Sequence, residues 1–166
     1  NGFGRIGRAF FRAAEARDEI EIVAINDLGD PANLAYLLKY DSAQGKADFD
    51  THATDSKLVV NGREIQFIKE RDPSKLPWKD LDIDIALEAT GLFASYEKSR
   101  MHLTAGAKRV VISAPVKDEP PEGITGATVL IGVNDDKLKT CDISSNASCT
   151  TNAGSPLMQI LHESVG

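Results

Sequence analysis

The chain opens on Asn1-Gly2-Phe3-Gly4-Arg5-Ile6-Gly7, in which three glycines have the spacing G-x-G-x-x-G. In a nucleotide-binding loop the first glycine allows a tight turn and the second lets the backbone approach a pyrophosphate. The third lets the following helix pack closely on a sheet. A helical pattern follows at once, and one face of it carries Ile6, Phe10, Ala13 and Ala14. The spacing alone is a weak signal, so its meaning depends on what comes next.

A β-branched run, Ile20 to Ile25, follows the helix and ends in Asn26-Asp27. Asp27 lies 20 residues past Gly7, where a dinucleotide-binding fold places the acid that accepts hydrogen bonds from the adenosine ribose. A carboxylate there suits the free 2′-hydroxyl of NAD and repels the 2′-phosphate of NADP. The alternative is an aspartate that only caps a turn. A kinase glycine loop is excluded, because Val23-Ala24-Ile25 is followed by Asn26 rather than lysine.

The rest of the first half contains clear boundary signals. Asp30-Pro31 predicts a helix N-cap followed by proline at the first helical position. The turn Asn61-Gly62 between Lys57–Val60 and Arg63–Ile68 predicts a β-hairpin with a type I′ turn.

Strands and helices alternate through the second half as well. A helix is expected from an N-cap at Ser95 to Ala105, ended by Gly106, and Lys117–Gly126 is expected to be a surface loop. Four strands are expected, at Ile83–Ala89, Arg109–Ile112, Thr128–Gly132 and Asp142–Ser144. This alternation predicts an α/β fold with a Rossmann-type, doubly wound and mostly parallel sheet.

Ligands of such sheets bind beyond the carboxyl ends of the strands. Three of the expected strands end in small or polar pairs, namely Asn26-Asp27, Thr90-Gly91 and Ser113-Ala114. We therefore expect the cofactor cleft along this edge.

The bulk composition narrows the choice of partners. The 166 residues carry a formal net charge of −6, which argues against nucleic acid or an anionic membrane as a main partner. The two cysteines, Cys141 and Cys149, lack a metal-ligand spacing and an evident bridging role, so no metal site is predicted and a reducing compartment is expected.

The stretch Ser144 to Asn152 is crowded with hydroxyl and amide side chains around one thiol, Cys149. So many polar groups would be costly in a core, so we expect a loop leading into a helix. The positive end of a helix dipole favours a thiolate at that junction, and the hydroxyls and backbone N–H groups could hold an anion. Cys149 is therefore the candidate nucleophile, whereas the alternative is a small buried cysteine such as we expect Cys141 to be.

Two features of this region stay open. The last helix could begin at Ser148 or Cys149, with Pro156 inside it, or only at Ser155-Pro156. No base for Cys149 is evident, because His162 lies about 20 Å further along that helix at 1.5 Å per residue. His102 is expected to be a surface residue of a helix.

Several stretches together resemble the glyceraldehyde-3-phosphate dehydrogenase family. They are Asn1 to Arg8, Ala24 to Asp27, Leu38 to Ser42, Ser113 to Pro115, and Ser145 to Asn152. The order and spacing match over essentially the whole chain. The last stretch is highly specific to this family and to its close relative, erythrose-4-phosphate dehydrogenase.

The resemblance implies an oxidation of glyceraldehyde 3-phosphate to 1,3-bisphosphoglycerate through a thiohemiacetal and a thioester on Cys149. It implies substrate and phosphate contacts for Ser148 and Thr150. It also implies NAD as cofactor, a glycolytic role, a homotetramer and a cytoplasmic location. The cofactor contacts that it implies are Gly4, Arg5, Ile6, Asp27, Arg71, Thr90 and Ser113.

The chain also departs from the family pattern. Ala153-Gly154-Ser155-Pro156 replaces the usual Cys-Leu-Ala-Pro. By this resemblance, residues 1–148 are expected to form an NAD-binding domain whose first strand precedes residue 1. Residues 149–166 are expected to begin a catalytic domain whose base lies beyond Gly166. Two alternatives stay open: an erythrose-4-phosphate dehydrogenase, and a nucleotide-binding fragment without catalytic activity.

Overall fold

A computed structural model describes residues 1–166, which form two compact units, Asn1–Leu76 and Pro77–Gly166. The first unit contains two α-helices, six strands and a short 3-10 helix, Pro73–Lys75. Its helices and strands are α1 (Arg5–Glu15), β1 (Ala24–Asn26), α2 (Pro31–Lys39), β2 (Tyr40–Asp41), β3 (Gly45–Lys46), β4 (Thr51–Ala53), β5 (Lys57–Val60) and β6 (Arg63–Ile68).

The main sheet of the first unit has the strand order β1-β6-β5-β4. β1 is parallel to β6, whereas β5 is antiparallel to both of its neighbours, and β2 pairs separately with β3. The predicted hairpin is confirmed with its boundaries. Asn61 and Gly62 both have positive φ, 50° and 81°, as a type I′ turn requires.

Helix α1 buries a face that shares only Ala14 with the one that we predicted. Ile6 and Phe10 are 55% and 41% exposed, and the helix buries Gly7 and Phe11 together with the predicted Ala14. The expectation was wrong because a glycine counts as neither apolar nor polar in a periodicity pattern. Here Gly7 marks the side of closest approach, and Phe11 and Ala14 follow it at helical spacing.

The apolar core of the first unit joins the sheet to its two helices. Its buried members are Phe3, Phe11, Ile25, Leu34, Ala35, Leu38, Leu58, Val60, Ile65 and Phe67. The Asp30 side chain caps α2 by accepting a hydrogen bond from the backbone N–H of Asn33, as predicted.

The second unit contains a four-stranded sheet of order β7-β8-β10-β9, in which every pair is parallel. A 3-10 helix covers Asp135–Lys139. The helices and strands are β7 (Ile85–Glu88), α3 (Tyr96–Thr104), β8 (Arg109–Ile112), β9 (Gly126–Thr128), β10 (Ile143–Ser145) and α4 (Cys149–Val165). The alternation of strands and helices with these parallel pairs confirms the predicted α/β class.

Strand and helix positions in the second unit agree with expectation except at a few ends. Ser95 caps α3, and Gly106 follows that helix with φ of 109°. β9 ends at Thr128, where the predicted strand begins, because its partner residues on β10 fix the register. In the first unit, β1 is likewise shorter than the apolar run that predicted it, and begins only at Ala24.

Candidate cofactor and nucleophile sites

The glycine loop of the first unit ends at the N-terminus of α1. Gly4 is the N-cap residue, and its carbonyl accepts the hydrogen bond of the Arg8 N–H at 3.0 Å. The first turn contains no acid and carries Arg5 and Arg8. Backbone N–H groups at the positive end of a helix, with two cations beside them, favour an anionic ligand such as a pyrophosphate.

The glycines of this loop have different reasons to be glycine. A Cβ on Gly7 would lie 2.1 Å from the carbonyl oxygen of Gly2, so the packing of α1 on the loop requires glycine there. A Cβ on Gly4 would meet no protein atom within 4 Å, and Gly4 has an ordinary negative φ of −70°. Packing therefore does not require Gly4 to be glycine, whereas close approach of a ligand to the backbone would.

Asp27, at the end of β1, is a partly buried acceptor of two backbone hydrogen bonds. The N–H of Phe3 donates to its Oδ2 at 2.7 Å, and the N–H of Gly29 donates to its Oδ1 at 2.8 Å. The turn-capping interpretation thus describes a contact that exists. It does not exclude a ribose, because each carboxylate oxygen can accept a second hydrogen bond.

Asn26 is buried, and the sequence predicted for it only a position at the polar end of a strand, without a role of its own. Its side chain accepts from the Glu70 N–H at 2.8 Å and donates to the Glu70 carbonyl at 2.9 Å. This pair of bonds places Arg71, which is exposed, next to the carboxyl end of β1. A polar residue closing an apolar run was the only sequence signal for this role.

These residues fit an NAD molecule by the chemistry that they present. The glycine loop and α1 offer an anion site to a pyrophosphate, and Asp27 offers acceptors to a ribose. Gly4 leaves space beside the backbone that a side chain would fill. Arg71 follows β6 and Glu70, and therefore lies at the same sheet edge as the carboxyl end of β1.

The second unit gathers another set of predicted residues at the carboxyl ends of parallel strands. Glu88 of β7 is in register with Ile112 of β8, which is in register with Ser145 of β10. The hydrogen bonds continue past the strands, because the N–H of Ser113 donates to the Glu88 carbonyl at 3.0 Å. The loops that carry Thr90, Ser113 and Cys149 therefore leave one edge of one sheet.

Cys149 is the first residue of α4 and is exposed. Ser148 is the N-cap, and its Oγ accepts a hydrogen bond from the Thr151 N–H at 3.1 Å. Of the two starts that the sequence left open, the structure thus has the early one, with Pro156 inside the helix. The exposed thiol is unlike the small buried cysteine of the alternative interpretation.

The polar side chains around Cys149 build the turn that precedes it. Ser145 Oγ donates to the Ala114 carbonyl at 2.8 Å and accepts from the Ala147 N–H at 3.2 Å. The Asn152 amide donates to the carbonyls of Asn146 and Ser148, at 2.8 and 2.9 Å. Ala147 has φ of 58°, a conformation that costs energy outside glycine and persists when its surroundings impose it.

The hydroxyls that the sequence offered to an anion are partnered among themselves. Ser148 Oγ lies 2.9 Å from Thr150 Oγ1 and 2.7 Å from Thr151 Oγ1. A hydroxyl can both donate and accept, so a substrate would extend this cluster rather than meet isolated groups.

Cys141 and His102 show the opposite environments to Cys149. Cys141 is buried, and burial raises the pKa of its thiol, in keeping with the structural role expected for it. The prediction of a surface position for His102 is wrong, because this side chain is fully buried on the inner face of α3. No cluster of three or more His, Cys, Asp or Glu side chains is arranged to hold a metal ion, and no helix is long and apolar enough to cross a membrane.

Comparison with known proteins adds an independent line of evidence. The family described as "Glyceraldehyde 3-phosphate dehydrogenase, NAD binding domain" matches residues 1–96. Glyceraldehyde-3-phosphate dehydrogenase A of Escherichia coli is 50% identical over all 166 residues, which cover 48% of that protein. The corresponding proteins of Haemophilus influenzae and Salmonella typhimurium are 51% and 49% identical over the same span. The chain spans about half the length of these curated relatives.

Proposed function

This chain belongs to the glyceraldehyde-3-phosphate dehydrogenase family, and we propose that it is the cofactor-binding and nucleophile-bearing part of an NAD-dependent, phosphorylating aldehyde dehydrogenase. NAD is the cofactor, since the matched family domain is an NAD-binding domain. The substrates are glyceraldehyde 3-phosphate and inorganic phosphate, and the product is 1,3-bisphosphoglycerate. The enzyme acts in glycolysis as a cytoplasmic homotetramer. Residues 1–148 form the cofactor domain and residues 149–166 begin the catalytic domain.

Cys149 carries the covalent chemistry. Its thiolate attacks the aldehyde carbon and forms a thiohemiacetal on Sγ. Loss of hydride from that carbon, with the hydroxyl proton, leaves a thioester on the same sulfur. Attack of inorganic phosphate on the thioester carbon forms the acyl phosphate and expels the Cys149 thiolate. Bound NAD supplies the acceptor for the hydride.

The other residues bind and orient the reactants. Gly4, Arg5 and Ile6 bind the pyrophosphate at the start of α1, Asp27 binds the ribose, and Arg71 lies near the adenine. In the second unit, Thr90 and Ser113 line the nicotinamide side of the cleft. Ser148 and Thr150 bind the substrate and the phosphate.

The observation that carries this proposal is the exposed position of Cys149 at the start of α4. The strand that leads to this thiol is in the same parallel sheet as those that lead to Thr90 and Ser113. A cysteine packed into a core could not meet a diffusible aldehyde, whereas this one can.

The test uses the full-length protein that carries this chain, with NADH absorbance followed in the presence of glyceraldehyde 3-phosphate, NAD and phosphate. We expect Cys149→Ser to lower kcat by about a thousand-fold or more, as loss of a nucleophile does. Cys141→Ala is the matched control, because Cys141 is buried away from solvent, and it should retain activity. Full activity in Cys149→Ser would overturn the proposed mechanism.

Two further measurements separate the alternatives. Faster turnover of erythrose 4-phosphate than of glyceraldehyde 3-phosphate would favour the related dehydrogenase. The 166-residue chain by itself is expected to show no appreciable turnover, because no base for Cys149 was identified in its sequence. Enzyme-like rates from this chain alone would contradict that expectation.

A further inference from the structure

A chain of buried polar groups runs through the second unit to the carboxyl end of β7. The Trp78 indole N–H donates to Nδ1 of His102 at 3.0 Å, and Nε2 of His102 lies 3.0 Å from Oε2 of Glu88. Trp78, His102 and Glu88 are 3%, 0% and 1% exposed. A carboxylate is expensive to bury in an otherwise apolar strand, and an aliphatic residue would complete β7 at lower cost.

The hydrogen bonds fix which nitrogen of His102 carries the proton. An indole N–H can only donate, so Nδ1 must accept and has no proton. Nε2 therefore carries the proton and donates it to Glu88 Oε2. The direction of donation is thus set along the whole chain, from Trp78 through His102 to the carboxylate.

The other oxygen of Glu88 holds the turn that follows β7. Oε1 accepts the Thr90 backbone N–H at 2.8 Å and also the Thr90 hydroxyl. Thr90 Oγ1 in turn accepts the Leu92 N–H at 3.0 Å, and Gly91 between them has φ of 74°. Both donors of Thr90 therefore depend on one carboxylate, whose position depends on His102.

We propose that Glu88, held by Trp78 and His102, is a positioning residue that fixes the Thr90 turn for the bound cofactor. This inference rests on the proposed function, because Thr90 is placed there at the nicotinamide side of the cleft. Glu88 does not touch the reacting atoms. It acts by presenting one oxygen to two Thr90 donors, and the fixed proton on His102 keeps that oxygen facing them.

Replacement of Glu88 by glutamine should disturb the Thr90 turn, because the direction of donation from Trp78 and His102 is fixed. If the new amide NH2 faces His102, it meets the Nε2–H, and two donors oppose each other. His102 could move its proton to Nδ1, but this would set the proton against the indole N–H of Trp78. If the NH2 faces Thr90 instead, it meets the Thr90 N–H, which cannot change. Either orientation leaves opposed donors, and the Thr90 turn loosens.

Removal of the indole N–H should relieve this conflict. In Glu88→Gln with Trp78→Phe, His102 can carry its proton on Nδ1, where that N–H lacks an acceptor but no longer opposes a donor, and Nε2 can accept the glutamine NH2. The glutamine oxygen then faces Thr90 and accepts both of its donors. A purely structural role predicts the reverse, since two core substitutions would add their damage.

The experiment measures two quantities in the full-length protein, for Glu88→Gln, Trp78→Phe, the double variant and Glu122→Gln. Hydrogen exchange followed by mass spectrometry reports the amides of Thr90 and Leu92, and steady-state kinetics report KM for NAD. Glu122→Gln is the matched control, because it makes the same chemical change on an exposed loop. We expect Glu88→Gln to speed exchange at both amides and to raise KM for NAD about ten-fold or more, equivalent to about 1.4 kcal/mol. The double variant should recover most of both.

The outcomes separate the two proposals. If Glu88→Gln behaves as the control does, or if the double variant is no better than Glu88→Gln in exchange, the positioning role is overturned. Recovery of exchange without any effect on KM for NAD overturns the link to the cofactor. A wild-type protein that produces no NADH instead contradicts the proposed function, and the exchange measurement then decides the positioning of the turn by itself.

Discussion

Each of the two units ends a strand with a carboxylate that organises the neighbouring backbone, but the two carboxylates have different surroundings. In the first unit Asp27 accepts the N–H groups of Phe3 and Gly29 while partly exposed. In the second, Glu88 accepts both donors of Thr90 while almost completely buried against His102. Loss of the carboxylate should therefore cost more at Glu88 than at Asp27, because a fully buried group lacks water as a substitute partner.

The largest effect on the free energy of unfolding is expected from Glu88→Ala, which is compared with Asp27→Ala. Glu88→Ala leaves the fully buried His102 Nε2–H without a partner and removes the acceptor of the half-buried Thr90 donors. We therefore expect a loss of about 3–5 kcal/mol in the free energy of unfolding. Asp27→Ala should cost only about 1 kcal/mol, since Asp27 is only half-buried and water can take the place of its removed side chain. Urea unfolding of the full-length protein checks the difference, and equal losses would remove the contrast between the two sites.

A smaller effect is expected at the hairpin turn of the first unit, where a local backbone conformation rather than burial sets the register. Gly62 has φ of 81°, so Gly62→Ala should lower the free energy of unfolding by about 1 kcal/mol. Gly62→Asn is the control and should lose less, because asparagine adopts positive φ more readily than alanine does. The same urea measurements apply. An alanine variant as stable as the wild type would show that the turn conformation does not limit this hairpin.

The smallest effect should come from Asp118, a half-buried carboxylate in the second unit. Partial burial raises the pKa of Asp118, but the backbone N–H groups of Glu97 and Tyr96 outweigh it, and the pKa lies below its ordinary value of 3.8. Since the folded pKa is lowered, the stabilisation is fully present above about pH 4 and is lost as the pH falls through the folded pKa. Asp118→Asn should therefore cost under about 1 kcal/mol at pH 7 and nothing near pH 2.

Ser95→Ala provides the matched comparison for that pH dependence. Ser95 caps the same helix with a neutral hydroxyl, whose hydrogen bond to the Lys98 N–H does not titrate. Its cost should be the same at pH 7 and at pH 2. If Asp118→Asn showed the same loss at both pH values, the charge of Asp118 would not be the source of its contribution. If the cost of Asp118→Asn instead disappears near pH 2, the difference between Asp118 and Glu88, which lie in the same unit, follows from their different burial.

Local signals were sufficient for much of the fold. The hairpin boundaries, the Asp30 and Ser95 caps and the glycine after α3 all follow from interactions within a few residues of sequence. The ends of β1 and β9 did not follow, because a ladder partner elsewhere in the chain decides where each strand begins and stops. Apolar periodicity also misplaced most of the buried face of α1, with Ala14 as the exception, since it could not register Gly7 as a contact.

The candidate site divides in the same way. The glycine spacing, Asp27 and the polar turn around Cys149 were visible because each is a local motif with its own chemistry. The sequence did not predict the contacts of Asn26, and the predicted surface position of His102 was wrong. Asn26 makes its contacts with Glu70, and His102 makes its contacts with Trp78 and Glu88, all distant in sequence. A lone acid in an apolar run, and a histidine three residues after a buried serine of α3, were the only available hints.

The sequence by itself determined the α/β class, the glycine loop, the acid that follows it and the cysteine at the start of a polar turn. These depend on residue type and short spacing, which a chain carries before it folds. Only the tertiary structure decided that α4 begins at Cys149, that its neighbouring hydroxyls bind one another, and that Glu88 and His102 share a buried site. Those outcomes depend on which residues, distant in sequence, pack against each other and exclude water. Packing decides which polar groups are buried and must therefore bond one another, and sequence spacing does not show this.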